Sequence, residues 1–277
     1  MKPPLQDQEH TTAPKKSYFR KTALFKMKKN KNGANRNRSS VKNLEQELGI
    51  ATKILEWEIG DIWGHVGVRL PDNGGIAVQM FRRAESEKKD WLVHFDKSLK
   101  KRGGVGTIPR ESVIYTEIFK ARPDVNAAVH CHAAMCVALS LAEQPIDWVH
   151  MQSSRFKGGT PIFPRPIYIL DESEGAELAS ALGSASAVMI KGHGIVTVGT
   201  SIDEACFNAV YMERTAKIMA IARLHGYQGP TRESIETLTG SRQKLFRRPR
   251  DEMFHSAEWN YYAEKIKKGE RWTRGWT

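Results

Sequence analysis

The chain has little cysteine. Cys131, Cys136 and Cys206 are its only three, an odd number without CxxC spacing. That argues against a disulfide framework or a thiolate zinc knuckle and for a reducing compartment, the cytoplasm. The chain also lacks any run near the roughly 18 apolar residues of a membrane span, so no membrane partner is expected. No apolar stretch of the secretory kind stands near the N-terminus. Acid is missing from residues 10–44, while residues 1–43 hold twelve Lys or Arg against Asp7 and Glu9. This stretch accounts for most of the formal net charge of +12, because the remainder holds 31 basic and 29 acidic residues. A Lys/Asn-rich tail with little apolar content predicts a basic, disordered extension over residues 1–40. A targeting peptide or a weak anionic-surface contact are the other readings of it. With the charge confined to that tail and no base-reading motif, no nucleic-acid partner is expected.

What is present is a mixture of short strands and helices without a regular βαβ rhythm. Leu44, Leu48, Ala51, Ile54 and Leu55 recur at spacings of three and four, which predicts an amphipathic helix over 41–59 ended by Gly60-Asp61. Runs at His65–Leu70, Ile76–Phe81 and Trp91–Phe95, with turn residues at Pro71–Gly75, predict antiparallel strands. A helix over 111–121 has to stop before Pro123. A strand at Val125–His132, a helix at Ala133–Glu143 and strands at Ala187–Lys191 and Ile195–Val198 follow. Ser201 or Asp203 then opens a long helix reaching about Gly226. The pattern is that of a single α/β or α+β domain over residues 41–226. Residues 227–277, polar and aromatic, predict an extension that packs on this domain or on a neighbouring subunit.

Chemistry concentrates at Val129-His130-Cys131-His132. Residues two apart on a strand share a face, so both imidazoles project together and Cys131 points away. Two convergent imidazoles suit a divalent transition metal. His193 stands between Gly192 and Gly194 after an apolar strand, where the backbone can turn tightly and a ligand can approach. Glu111 opens the helix that leads into the His130 strand and offers a fourth ligand or a proton-transferring carboxylate. Two rival patterns fail. A cupin needs Glu three to five residues after the second His, where Met135, Cys136 and Val137 stand, and an HxHxDH hydrolase needs Asp at Ala134.

Several of these stretches together resemble the class II aldolase/adducin family over roughly residues 41–225. They are Gly64-His65-Val66-Gly67-Val68-Arg69, Glu111 with Ala121-Arg122-Pro123-Asp124-Val125, Val129-His130-Cys131-His132, and Lys191-Gly192-His193-Gly194, with nineteen positions from Glu111 to His130. The resemblance implies an α/β domain with a central, mainly antiparallel sheet flanked by helices, assembled as a homotetramer with sites between subunits. It also implies that His130, His132 and His193 hold a divalent ion (zinc first, then manganese or iron), with Glu111 as ligand or acid/base. Phosphosugar aldolases of this family carry Ser-Ser before the Glu and a Gly-Asn-x-Ser turn. Here Pro109-Arg110 and Gly64-His65-Val66-Gly67 occupy those places and remove phosphate donors.

Arg110 instead offers a bidentate fork for a substrate carboxylate, and His65 a donor or general acid in a turn-like setting. His150 and Tyr115 are further expected substrate contacts, Tyr115 standing where many relatives have another His. Tyr261 and Tyr262 would reach a neighbour's site or pack on their own subunit. The expected function is a metal-dependent carbon–carbon lyase that decarboxylates a hydroxylated aromatic or oxo acid, with Glu111, His65 and Arg110 as its catalytic residues. Retro-aldol cleavage of a hydroxy-oxo acid or sugar derivative is the alternative, then dehydration, and an adducin-like scaffold without chemistry is the non-enzymatic one.

Overall fold

The computed structural model describes residues 33–71, 75–81, 91–245 and 251–270. Most of the expected basic tail, the centre of the Pro71–Gly75 turn and Trp272 and Trp276 lie outside them. The first helix, α1, runs Gly33–Ile59, starting upstream of the expected Val41. It buries Leu48, Ala51, Ile54 and Leu55, the stripe its periodicity predicts. Gly60 ends it with φ +80, a left-handed conformation open to glycine at little cost.

The centre is one eight-stranded sheet in the order β4-β3-β2-β1-β5-β8-β7-β6. Its strands are β1 (His65–Arg69), β2 (Ile76–Met80), β3 (Leu92–Phe95), β4 (Lys101–Gly104), β5 (Ala127–Cys131), β6 (Ile162–Phe163), β7 (Ala187–Ile190) and β8 (Gly194–Gly199). Every pair is antiparallel except β6 with β7. The remaining helices are α2 (Val113–Ala121), α3 (Ala134–Leu141), α4 (Glu172–Leu182), α5 (Ile202–Leu224), α6 (Arg232–Leu245) and α7 (Asp251–Lys267). The sheet has a core on each face. Ala127, Val129 and Cys131 pack with residues of α1, α3 and α5, whereas Ala128, Val196 and Val198 pack with α2 and α4. The strand period of two therefore sends Cys131 to one side and His130 to the other, as the HxH spacing requires.

Two ties set the site elements against the sheet. The Arg69 Nη2 group, at the end of β1, donates to the carbonyls of Phe119 at 2.7 Å and Val125 at 3.1 Å, fastening the C-terminal end of α2. The Glu213 carboxylate of α5 accepts from the backbone N–H groups of Met135 and Cys136, satisfying donors at the start of α3. Ser201 stands at the N-cap of α5 without a side-chain cap bond, and Glu204 instead accepts from the Thr200 N–H at 2.7 Å. In the C-terminal segment, which folds as α6 and α7, Tyr262 is buried and donates to Glu58 of α1 at 3.1 Å, so it packs on its own chain. Its neighbour Tyr261 is exposed. No helix among the described residues is long and apolar enough to cross a membrane.

Candidate active site

The three histidines meet. His130 stands in β5, a central strand of the sheet, His132 lies just past the end of that strand, and His193 sits in the turn between β7 and β8. Their ring centroids form a near-equilateral triangle, 5.0 Å from His130 to His132 and 5.1 Å along the other two sides. The glycines on either side of His193 are both needed. Gly192 has φ +66, and a Cβ on Gly194 would lie 2.6 Å from the Cys131 carbonyl oxygen.

Each imidazole is fixed through Nδ1. His130 donates from Nδ1 to the Ile195 carbonyl at 3.0 Å, and His193 to the Ile167 carbonyl at 2.8 Å. His132 donates from Nδ1 to Oδ2 of Asp61 at 2.9 Å. All three tautomers therefore leave the Nε2 lone pair for a ligand. Glu111 completes the group. Its Oε1 accepts from the Ile169 N–H at 2.9 Å, and its Oε2 lies 3.3 Å from His130 Nε2 and 3.7 Å from His193 Nε2. Burial opposes ionisation of Glu111, but the charge that the His130 and His193 rings take up when protonated, with the Ile169 N–H, outweighs it and brings the carboxyl to about 2.

One donor atom from each of Glu111, His130, His132 and His193 lies within 4.8 Å of the others. The Nε2 atoms of His130 and His193 are buried with no hydrogen-bond partner. Orphaned polar atoms at this depth carry a desolvation cost that a bound cation would repay. The residues present fit a divalent ion, and three imidazoles with a carboxylate suit zinc, manganese or iron.

The cluster floors a cavity of about 730 Å³, a size suited to a small organic ligand. Its polar lining includes Arg110, Glu111, His65, His132 and His193, and its apolar walls include Trp63, Met80, Ile167, Tyr168 and Leu170. Arg110 is exposed at this lining, in a 3₁₀ turn spanning Arg110–Ser112 that precedes α2.

His65 opens β1 rather than sitting in a turn, paired in register with His130, and their ring centroids are 5.2 Å apart. Tyr115 stands behind it. The Tyr115 hydroxyl donates to the His65 carbonyl at 2.9 Å and accepts from His65 Nδ1 at 2.5 Å. His65 is thereby left with an accepting Nε2, not a donor. Burial, reinforced by the His130 ring, pushes its pKa down to about 3. Gly67 makes room for this arrangement, since a Cβ there would lie 2.4 Å from the Tyr115 ring.

Two expected substrate contacts are elsewhere. Tyr115 is fully buried and does not line the cavity, because its hydroxyl is spent on His65. His150 is removed to the α5 side, where its Nε2 lies 3.1 Å from Thr215 Oγ1. Sequence reasoning missed Asp61, whose carboxylate binds His132 across 71 positions with no motif joining them. Its one local signal is an acid placed directly after the glycine that ends α1. Trp63 and Tyr168 were missed as well, both being lone aromatics in loops.

The model of the class II aldolase and adducin N-terminal domain matches residues 57–220. A 3,4-dihydroxyphthalate decarboxylase of Arthrobacter keyseri is 29% identical over 168 residues, 56% of this chain and 68% of its own length. Another, of Terrabacter sp. (strain DBF63), is 26% identical over 180 residues, 60% of this chain and 74% of its own. Among solved structures, the L-fuculose 1-phosphate aldolase of Glaciozyma antarctica PI12 aligns with a TM-score of 0.68 and 23% identity. It covers 87% of this chain and 96% of that one, a likeness of fold.

Proposed function

Because the chain belongs to the class II aldolase and adducin N-terminal domain family, and its matching relatives include decarboxylases and an aldolase, which are lyases, we propose that it decarboxylates a hydroxylated aromatic carboxylic acid with a divalent metal ion. The observation that carries this reading is one cavity joining the four-donor cluster to Arg110, His65 and the flat walls of Trp63 and Tyr168. Pro109-Arg110 in place of phosphate-binding hydroxyls favours a carboxylate over a sugar phosphate, and the decarboxylase relatives agree in the same direction.

His130, His132, His193 and Glu111 would hold the ion, which supplies Lewis acidity at a substrate oxygen as charge builds on it. Glu111, held ionised, serves better as ligand than as acid. Arg110 at the cavity wall pairs with the substrate carboxylate, and Trp63 and Tyr168 offer flat faces on which the ring stacks. His65 accepts a hydrogen bond from the substrate hydroxyl through Nε2. The hydroxyl proton is relayed through His65 to the ring carbon that bears the carboxylate, since a base this weak passes the proton on instead of keeping it. With that carbon tetrahedral, the ring–carboxyl bond breaks, its electron pair restores the aromatic ring and CO₂ departs. The phenolate left behind takes a proton from solvent, which balances the step. The exposed Ile62, Trp63, Tyr168 and Leu170 suit burial against another subunit of a homotetramer; light scattering is expected to give four chains per particle, and a monomer counts against it.

The test loads purified protein with zinc, manganese or iron(II) in turn and follows CO₂ release from a panel of hydroxylated benzoates and phthalates. Release that disappears in a triple alanine variant of His130, His132 and His193 supports the proposal. Cleavage of a hydroxy-oxo acid to an aldehyde with no CO₂ from any aromatic acid moves the assignment to an aldolase.

A further inference from the structure

Two of the three candidate ligands are oriented by backbone carbonyls, those of Ile195 and Ile167. The third is oriented by a side chain. Asp61 receives both the backbone N–H and the ring Nδ1–H of His132 on Oδ2, each at 2.9 Å. Its other oxygen, Oδ1, accepts the Trp63 N–H at 2.9 Å. His132 is also the least enclosed ligand, its side chain 29% exposed where that of His130 is 0% exposed. Packing alone therefore constrains this ring least, and the carboxylate matters most here. From this geometry we infer that Asp61 is a positioning residue of the metal centre. It locks His132 in the Nδ1–H tautomer and aims its Nε2 at the ion, while its second oxygen fixes the Trp63 lip of the cavity.

A carboxylate is suited to this place because it only accepts. It satisfies three donors without offering a hydrogen of its own. The amide of D61N keeps one accepting oxygen but turns an N–H₂ group toward one of these donors. Facing the ring, that group requires Nδ1 to accept, so the proton moves to Nε2 and occupies the position a metal needs. The inference rests on the reading of the four-donor cluster as a metal centre, and the experiment separates the two.

Histidine ring ¹⁵N shifts in metal-free, full-length protein, read at alkaline pH where every imidazole is neutral, report each tautomer directly. The parent is expected to show His132 as Nδ1–H, and D61N to show it as Nε2–H with the His130 and His193 signals unmoved. Zinc affinity, read by competition with a chromophoric chelator, should fall about 10–100-fold in D61N. D61E, which keeps an acceptor-only carboxylate, should recover part of that loss. H132A and the H132A/D61N double variant should bind zinc equally, because Asp61 acts only through His132. D61N affinity within twofold of the parent, or a parent His132 in the Nε2–H form, overturns the inference. A parent that binds none of zinc, manganese or iron(II) overturns the metal-centre reading, while the tautomer still decides for or against Asp61. If D61N does not fold, the parent tautomer and the D61E affinity carry the decision.

Discussion

Replacing His65 by glutamine should flatten the acid limb of the protein's stability curve. In the folded chain His65 is buried, tied to Tyr115 and kept neutral down to about pH 3. In the unfolded chain it titrates near 6.5. Between these values the unfolded state binds a proton that the folded state refuses, so stability falls as the pH drops below 6.5. One group refusing one proton contributes about 1.4 kcal/mol per pH unit once the unfolded histidine is fully protonated. From pH 7 to pH 5 the loss comes to about 2 kcal/mol. Glu111, depressed to about 2, stabilises the fold above its unfolded value of 4.5 and loses that contribution only as pH falls toward 2. It is therefore almost silent in the window. His193, lowered by burial and the His130 ring, acts in the same sense as His65, and His132, raised by Asp61 against its burial, acts in the opposite one. Urea unfolding of metal-free parent and H65Q at pH 7 and pH 5 isolates the term, because the other histidines remain in both proteins. The parent should lose about 2 kcal/mol more than H65Q over that interval. Equal losses would refute the claim that the fold holds His65 neutral.

Gly194→Ala forces a methyl against the Cys131 carbonyl 2.6 Å away and should cost about 1–3 kcal/mol, seen as a lower urea midpoint at unchanged slope. Arg110→Ala removes the carboxylate fork from an exposed wall, and KM for an aromatic acid should rise roughly tenfold with a smaller change in kcat. Glu111→Gln withdraws the one anionic donor of the cluster, so metal retained through gel filtration, read by mass spectrometry, should drop well below one ion per chain.

The sequence made the candidate ligands legible because local rules place them. Period two puts His130 and His132 on one side of β5, and the glycines around His193 announce a tight turn. The antiparallel strands and the long α5 were readable from runs and caps of the same kind. What escaped depends on contacts between distant segments. The Asp61 link to His132 and the Tyr115 link to His65 span 71 and 50 positions, and neither has a periodic signature. Tyr115 reads as a pocket residue until the sheet places Gly67 beneath its ring. β4 hides because an edge strand with Lys101, Arg102 and two glycines has no buried face to alternate. α4 hides behind Gly175, whose missing side chain lets it lie against Glu117 and the Val113 carbonyl of α2.

The Nδ1 anchors of the three imidazoles bear on how ions come and go. Each ring is aimed by an acceptor that belongs to the protein, so the shape of the donor set is owed to the fold and not to whatever it binds. In a zinc finger the ion organises the chain, and chelation unfolds it. In the proposed centre the division of labour would be reversed. The entropy of arranging the four donors is spent during folding, so one ion could be traded for another without rebuilding the frame. Such a centre would be a socket, the identity of its occupant following the supply and affinity of the ions around it.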